Sequence, residues 1–174
     1  MERPILLERA LSNCVDFVRQ YVYYLRLTER RNEFPDLVHT YIHNNFICMA
    51  VFNWSHAFGH HNDVLHFRNV STDGDQFKED LLRRLELDND GWKAYWEEMK
   101  AFRDKRVAHI DPDPQVKIPD LDKAYVCISY YYHSFVGELK ELGGYDVFPD
   151  NLDKFSDTLH KKYEKTVISL LSGF

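Results

Sequence analysis

The chain has 174 residues, 44% of them hydrophobic, and its formal net charge at pH 7 is −6. That length suits one domain over residues 1–174, which can bury about two-thirds of its unfolded surface. The 7 Gly and 6 Pro are too few for a linker-rich or disordered chain. The acidic balance excludes a wholly basic surface for nucleic acid, but it leaves room for a local basic site.

The chain also lacks the usual signs of secretion and of membrane insertion. Glu8 and Arg9 interrupt the first apolar residues, which does not fit a secretory signal. The longest apolar run, residues 46–52, is far shorter than the roughly 18 residues that a membrane span needs. Three widely separated cysteines match neither a disulfide framework nor a zinc ribbon. We therefore expect a cytoplasmic protein that does not associate with membranes.

Hydrophobic residues recur at three- and four-residue spacing in the first third of the chain, which predicts two helices. The first lies within residues 4–31. Pro35 marks the start of the second, which is apolar nearly all round from Tyr41 to Phe58 and stops at Gly59. We expect this second helix to be the central, most buried element.

Further helices follow along the remainder of the chain. Apolar spacing predicts a short one at residues 77–85 and a longer one at residues 92–110, which an Asp-Pro-Asp-Pro run must end. A heptad-like stripe over residues 121–142 predicts the next, closed by a Gly-Gly pair, and residues 152–170 form the last. Long helices with short connections pack as antiparallel bundles. The sequence therefore predicts an all-α antiparallel bundle of five to six helices.

Two arginines near the end of the fourth predicted helix stand where an α-helical pattern requires core residues. At about 100° per residue, the apolar side chains of residues 92–102 share one stripe. Arg103 and Arg106 fall near the middle of this stripe, and His109 falls at its edge. Burying an unpaired guanidinium is costly, so these arginines either meet buried acceptors or line a cavity for an anion. Residues 100–106 hold four basic residues and one acid, which makes a local positive site.

Histidines one helical turn apart raise the alternative of a metal site. The pairs are His39 with His43 and His56 with His60. Metal sites in helical bundles usually also need carboxylates, and the chain contains no Glu-x-x-His or His-Glu-x-x-His motif. We therefore expect no metal and no cofactor, and a metal-binding bundle ranks third among the functional hypotheses.

Two acidic pairs and a tyrosine run also have a structural interpretation. Asp73 with Asp75 and Asp88 with Asp90 lack the closing Glu of a calcium loop, so turn and N-cap roles are predicted. The tyrosines of residues 130–132 could stack RNA bases, but the last of them belongs to the apolar stripe of its helix. We therefore expect Tyr132 to pack in the core and its two neighbours to lie at interfaces or on the surface.

Residues 103–109, Arg-Asp-Lys-Arg-Val-Ala-His, resemble the defining motif of the HEPN superfamily. In that motif an Arg precedes a His by four to six intervening residues and is often followed directly by a polar residue. The Ala-His-x-Asp-Pro ending and the aromatic stretches around Trp54 and at residues 92–96 are similar to the branch related to abortive-infection proteins. The resemblance covers most of residues 37–113.

The resemblance implies a HEPN-like helical bundle with metal-independent endoribonuclease activity of the defence or toxin type. In that chemistry the RNA 2′-hydroxyl attacks the adjacent phosphate and leaves a 2′,3′-cyclic phosphate and a 5′-hydroxyl. The resemblance implies that Arg103 stabilises the anion, that His109 transfers the proton and that Asp104 orients either partner. Lys105 and Arg106 are then the expected substrate-binding residues.

The resemblance also implies partners. RNA is expected at the local basic site, an antitoxin or another defence protein is a candidate regulator, and two motif copies are expected to face each other across a homodimer.

The chain departs from the family pattern at one position. Some toxin-type members carry a Tyr two residues after the His, where this chain has Asp111. The main alternative is a non-catalytic HEPN-like module that binds a nucleotide or a protein partner.

Overall fold

The structure, a computed structural model, describes residues 1–30, 32, 37–108, 117–144 and 147–171, with the backbone alone at 37–39, 107–108 and 167–171. The regular elements in these ranges are all helices, and none is a strand. The predicted all-α bundle is confirmed. The elements are α1 (Arg3–Glu29), α2 (Leu37–Phe58), α3 (Phe67–Val70), α4 (Gly74–Leu85), α5 (Asn89–Phe102), a π-helical segment (Arg103–Ala108), α6 (Leu121–Glu141) and α7 (Leu152–Leu171).

Helix α1 lies at the centre of the bundle, and the prediction that α2 is the most buried helix is wrong. Helix α1 packs against α2, α6 and α7. Helix α2 buries one face, which includes Trp54 and Phe58, but it exposes Ile42, Met49 and Phe52 by 45%, 43% and 40%. These three exposed residues recur at helical spacing, so α2 carries an apolar stripe that no described part of the chain covers.

The predicted N-cap roles of Asp73 and Asp88 and the predicted Gly-Gly end of α6 are confirmed, although α4 and α5 each begin three residues before the predicted helices. The Asp73 carboxylate accepts a hydrogen bond from the Gln76 backbone N–H at 2.9 Å, and this bond caps α4. Asp88 caps α5 in the same way, with its carboxylate 2.7 Å from the Gly91 nitrogen. At the end of α6, Gly143 adopts a left-handed φ of 75°, which a residue without a side chain adopts without strain.

Tyr131 and Tyr132 both belong to the core, so the prediction is confirmed for Tyr132, and the prediction that its neighbours lie at interfaces or on the surface is wrong for Tyr131. Tyr131 and Tyr132 are fully buried. Tyr131 donates its hydroxyl to the Leu65 carbonyl at 2.8 Å, and Tyr132 donates to the Pro149 carbonyl at 2.6 Å. Each phenol therefore ties a loop to α6 and satisfies its own polar group, as a buried tyrosine must.

Four aromatic rings from four helices meet around Phe58, which is 1% exposed. Its ring centroid lies 5.6 Å from that of Trp54, 5.8 Å from Phe67, 6.1 Å from Trp92 and 5.9 Å from Tyr131. These separations are those of favourable aromatic pairs, which add to the stabilisation from buried area. Phe58 is thus the common contact that holds α2, α3, α5 and α6 together.

A buried histidine makes the fold sensitive to acid. His66 caps the one-turn helix α3, and its Nδ1 accepts from the Arg68 backbone N–H at 3.3 Å. Burial, aided by the charge of Arg68, lowers the pKa of His66 to about 4. The unfolded chain therefore binds more protons than the folded chain between about pH 6.5 and pH 4, so stability falls as the pH falls through this window.

We expect His66→Asn to remove part of this acid sensitivity, because asparagine is a good N-cap that does not titrate. Urea midpoints at pH 7 and pH 4.5 measure the effect in both proteins. The wild type should lose about 2 kcal/mol more stability than the variant over this interval. An equal loss in the two proteins would contradict the assignment.

Candidate functional site

The predicted α-helix over residues 92–110 changes its geometry at Phe102. Helix α5 ends there, and Arg103–Ala108 form a π-helical segment. Hydrogen bonds from i to i+5 widen the turn, so the 100° projection no longer holds beyond Phe102. As a result, Arg103 is partly buried while Lys105 and Arg106 are exposed. The prediction that both arginines face the core is therefore wrong for Arg106.

The acceptor that Arg103 meets is the carboxylate of the next residue. Its Nε and Nη2 both donate to Asp104 Oδ1, at 2.9 and 2.6 Å. The Arg103 side chain is 26% exposed and that of Asp104 is 44% exposed, so the pair lies at the surface rather than in the core. The carboxylate fixes the plane of the guanidinium. The remaining nitrogen, Nη1, donates to no other residue that the structure describes.

Helix α2 supports the π-helical segment from one side. The Cys48 thiol donates to the Arg106 carbonyl across 3.9 Å. Burial raises the pKa of Cys48, and the nearby Arg106 charge opposes this effect. A neutral thiol of this kind is a packing and hydrogen-bonding group, not a nucleophile. The sequence offered no signal for this contact, because Cys48 lies 58 positions from Arg106.

The local positive site predicted from residues 100–106 is present at the surface. The Lys100 ammonium lies 5.6 Å from the centre of the Trp96 ring, a cation–π distance. Lys105 and Arg106 form no ion pair with any described residue. The nearest carboxylates are partly engaged, since Asp104 accepts from Arg103 and Glu98 pairs with Lys117 at 2.8 Å. This end of α5 can therefore attract an anion.

His109 and Asp111 lie outside the described residues. The proximity of His109 to Arg103 therefore stays a prediction. In the sequence, His109 directly follows Ala108, the last residue of the π-helical segment. The Arg103–Asp104 pair and the predicted proton-transfer residue therefore belong to one continuous motif.

The paired histidines are engaged in separate contacts. His43 Nε2 lies 2.8 Å from the Thr28 hydroxyl, and His56 Nδ1 lies 2.6 Å from Asp63 Oδ2. His60 stacks on His61 with their ring centres 4.7 Å apart. In the described ranges, no group of three or more His, Cys, Asp or Glu side chains is placed to hold a metal ion. The side chain of His39 lies outside these ranges, and the prediction of a metal-free protein stays a prediction.

No helix within the described residues combines enough length with enough hydrophobicity to cross a bilayer.

A scan against models of protein families, a search of curated proteins and a search of solved structures each found no match to this chain. The resemblance to HEPN domains therefore depends on the residues of the chain itself. Those residues are the motif at 103–109 and the surrounding aromatic positions, in a chain whose described elements are all helical.

Proposed function

We propose that this chain is a metal-independent endoribonuclease of the HEPN type, which acts in the cytoplasm as part of a defence or toxin system. The observation that supports the proposal best is the geometry of Arg103. Its guanidinium is held by Asp104 at a π-helical turn, and π-helical turns occur frequently at functional sites. An antitoxin or another defence protein is the partner that we propose as its regulator.

The proposed reaction needs a base, an acid and a group that stabilises the extra negative charge on the phosphate. A base removes the proton of the RNA 2′-hydroxyl, the O2′–P bond forms, and the P–O5′ bond breaks as the leaving oxygen takes a proton. His109 serves in proton transfer because an imidazole titrates near neutral pH. Arg103 stabilises the extra negative charge on phosphorus with its fixed N–H donors. Lys105 and Arg106, both exposed, bind the neighbouring phosphates.

The purified chain should cleave single-stranded RNA in the presence of EDTA and leave 2′,3′-cyclic phosphate and 5′-hydroxyl ends. Mass spectrometry of the products identifies these ends. A DNA strand of the same sequence is the control, because it lacks the attacking 2′-hydroxyl. Loss of cleavage in EDTA, followed by recovery with zinc or iron, would favour the metal-binding alternative.

We further propose that two chains pair through the apolar stripe of α2, formed by Ile42, Met49 and Phe52. This stripe is exposed, and it borders the π-helical segment through the Cys48–Arg106 contact. Pairing through this face would cover exposed apolar surface and bring two copies of the motif to the same side of the dimer.

Sedimentation equilibrium is expected to show a dimer for the wild type and a monomer for Phe52→Glu. The matched control is Ile5→Glu, because Ile5 is 42% exposed on a different helix. A wild type that stays monomeric at all concentrations would contradict the proposed interface. Equal weakening of the dimer by both variants would contradict it as well.

The second candidate function is a non-catalytic module that binds a nucleotide. The observation that favours it is a separate basic and aromatic cavity beside the N-terminal half of α5. A chain that cleaves no RNA but binds nucleotides would support this second function.

A further inference from the structure

A cavity of about 650 Å³ lies between the C-terminal end of α2, helix α3, helix α4 and the first half of α5. It is separate from the Arg103–Asp104 pair, which does not line it. A volume of this size falls within the range of small-molecule sites in proteins. Its walls combine positive charge with flat rings, and these two features together indicate a ligand.

The charge on the walls is predominantly positive. Arg68, Lys78 and Lys93 line the cavity, and the carboxylate among its lining residues is Asp90. Lys78 donates to the neutral Asn89 amide oxygen at 2.8 Å, and Lys93 forms no ion pair with a described residue. The charges of both lysines are therefore available to an anion. A concave surface with low-polarity walls strengthens that attraction.

Arg68 is held in place at the edge of the cavity. Its guanidinium lies 5.5 Å from the centre of the Phe67 ring, and it pairs at 2.8 Å with Asp75. The Asp75 side chain is 81% exposed and does not line the cavity. Because an exposed ion pair contributes little energy, a phosphate could replace or share this partner.

The aromatic walls are rigid. The Trp96 indole N–H donates to the Phe58 carbonyl at 2.8 Å, which fixes its ring, whereas Trp92 is 8% exposed and contributes only a small part of its ring to the wall. The stacked imidazoles of His60 and His61 form another flat surface of the cavity. Flat faces that are fixed before binding favour a planar aromatic ligand, because little ordering is required.

A buried polar group also lines the cavity. His66 is 5% exposed. Burial lowers its pKa, and the Arg68 and His61 charges act in the same direction. The buried, positively charged surroundings of His66 thus disfavour one more positive charge. A bound anion would remove part of that penalty.

We propose that this cavity binds a nucleotide, with the phosphate on Lys78, Lys93 and Arg68 and the base against the faces of Trp96 and the imidazoles. The ligand combines a phosphate and a nucleobase that are joined through a ribose. Its source is either a free mononucleotide or one nucleotide of an RNA strand.

The surface of α5 links the cavity to the candidate active site, and this part of the inference rests on the proposed nuclease function. Trp96 and Lys100 are four residues apart, which places them on one face of α5, and Arg103 is the first residue after this helix. Seven residues of helix span about 10 Å. An RNA strand bound at Arg103 could therefore reach the cavity along a path that passes the Lys100 ammonium.

Tryptophan fluorescence measures binding without any need for cleavage. Two of the three tryptophans line the cavity, while Trp54 is 1% exposed in the core. Adenosine monophosphate, inorganic phosphate and a short single-stranded RNA are titrated separately. The variant is Lys93→Glu, and its matched control is Lys161→Glu, an exposed lysine on α7 that gives the same change in net charge.

We expect Lys93→Glu to weaken binding about tenfold or more, because a charge-assisted contact becomes a repulsion. Lys161→Glu should bind like the wild type. Binding of the mononucleotide identifies a site for free nucleotides, whereas binding of the RNA alone identifies a subsite for the strand. Either result supports the proposal.

Three results would overturn the proposal. The first is no fluorescence response to any of the three ligands. The second is that Lys93→Glu and Lys161→Glu bind the same ligand with equal affinity. The third is that the wild type binds inorganic phosphate as tightly as the mononucleotide. A chain that cleaves RNA but shows one of these results retains the nuclease function and loses the nucleotide site. A chain that binds nucleotides without cleaving RNA retains the site and loses the nuclease function.

Discussion

His109→Ala is expected to abolish RNA cleavage while the denaturant midpoint stays nearly unchanged. Loss of a residue that transfers a proton typically reduces a rate by about 10²- to 10⁴-fold. The stability effect is expected to be small, because α5, whose apolar face packs in the core, ends at Phe102, well before His109. Initial rates on one labelled RNA, measured beside the denaturation curve, test both parts.

Arg103→Lys should also lose activity, although it keeps the positive charge. Arg103 uses Nε and Nη2 together on one Asp104 oxygen, and an ammonium cannot reproduce that planar arrangement. If the two residues act as one unit, the Arg103→Lys/His109→Ala double variant should be no slower than either single variant. Arg83→Lys is the matched control, since Arg83 pairs with Asp80 at 2.7 Å outside the motif.

The same variants separate catalysis from a purely structural role for Arg103. A guanidinium paired in the core would cost about 2 to 4 kcal/mol when truncated. The observed pair is partly exposed on both sides, so Arg103→Ala is expected to cost less than about 1 kcal/mol. A large stability loss together with an inactive wild type would instead assign Arg103 to the scaffold.

Phe58→Ala is expected to produce the largest loss of stability, about 3 to 5 kcal/mol. The substitution removes a ring that contacts Trp54, Phe67, Trp92 and Tyr131, and it leaves a cavity where four helices meet. Chemical denaturation followed by circular dichroism measures the change.

Phe52→Ala is the matched control for Phe58→Ala. Phe52 lies on the same helix but is 40% exposed, so its loss should change stability by less than about 1 kcal/mol. Both variants are measured at low protein concentration, so that self-association through α2 contributes nothing. Similar losses for Phe52→Ala and Phe58→Ala would contradict the observed orientation of α2.

Much of the fold could be predicted because apolar residues at 3.6-residue spacing and short capping motifs are local signals. Asp73 and Asp88 cap their helices as predicted, since an N-cap bond joins residues three positions apart. Helix α3 was missed because four residues are too few to show a period. The exposure of Phe52 could not be predicted, since it depends on how many helices surround α2.

The candidate site was only partly predictable for a similar reason. The motif from Arg103 to His109 is contiguous, so its spacing can be recognised in the sequence. The π-helical turn was not predicted, because the 100° projection assumes uniform α-helical geometry. The cavity beside α5 was missed as well, because its cations and rings come from separate elements and converge only in the folded chain.

The most direct test of the proposed nuclease is the initial rate of RNA cleavage in EDTA by four proteins. These are the wild type, Arg103→Lys, His109→Ala and the double variant. We predict cyclic-phosphate products from the wild type. The rates of all three variants should be lower by a factor of at least about 10², with denaturant midpoints similar to that of the wild type. A wild type that cleaves none of a varied set of RNAs, or a His109→Ala variant as active as the wild type, would contradict the assignment.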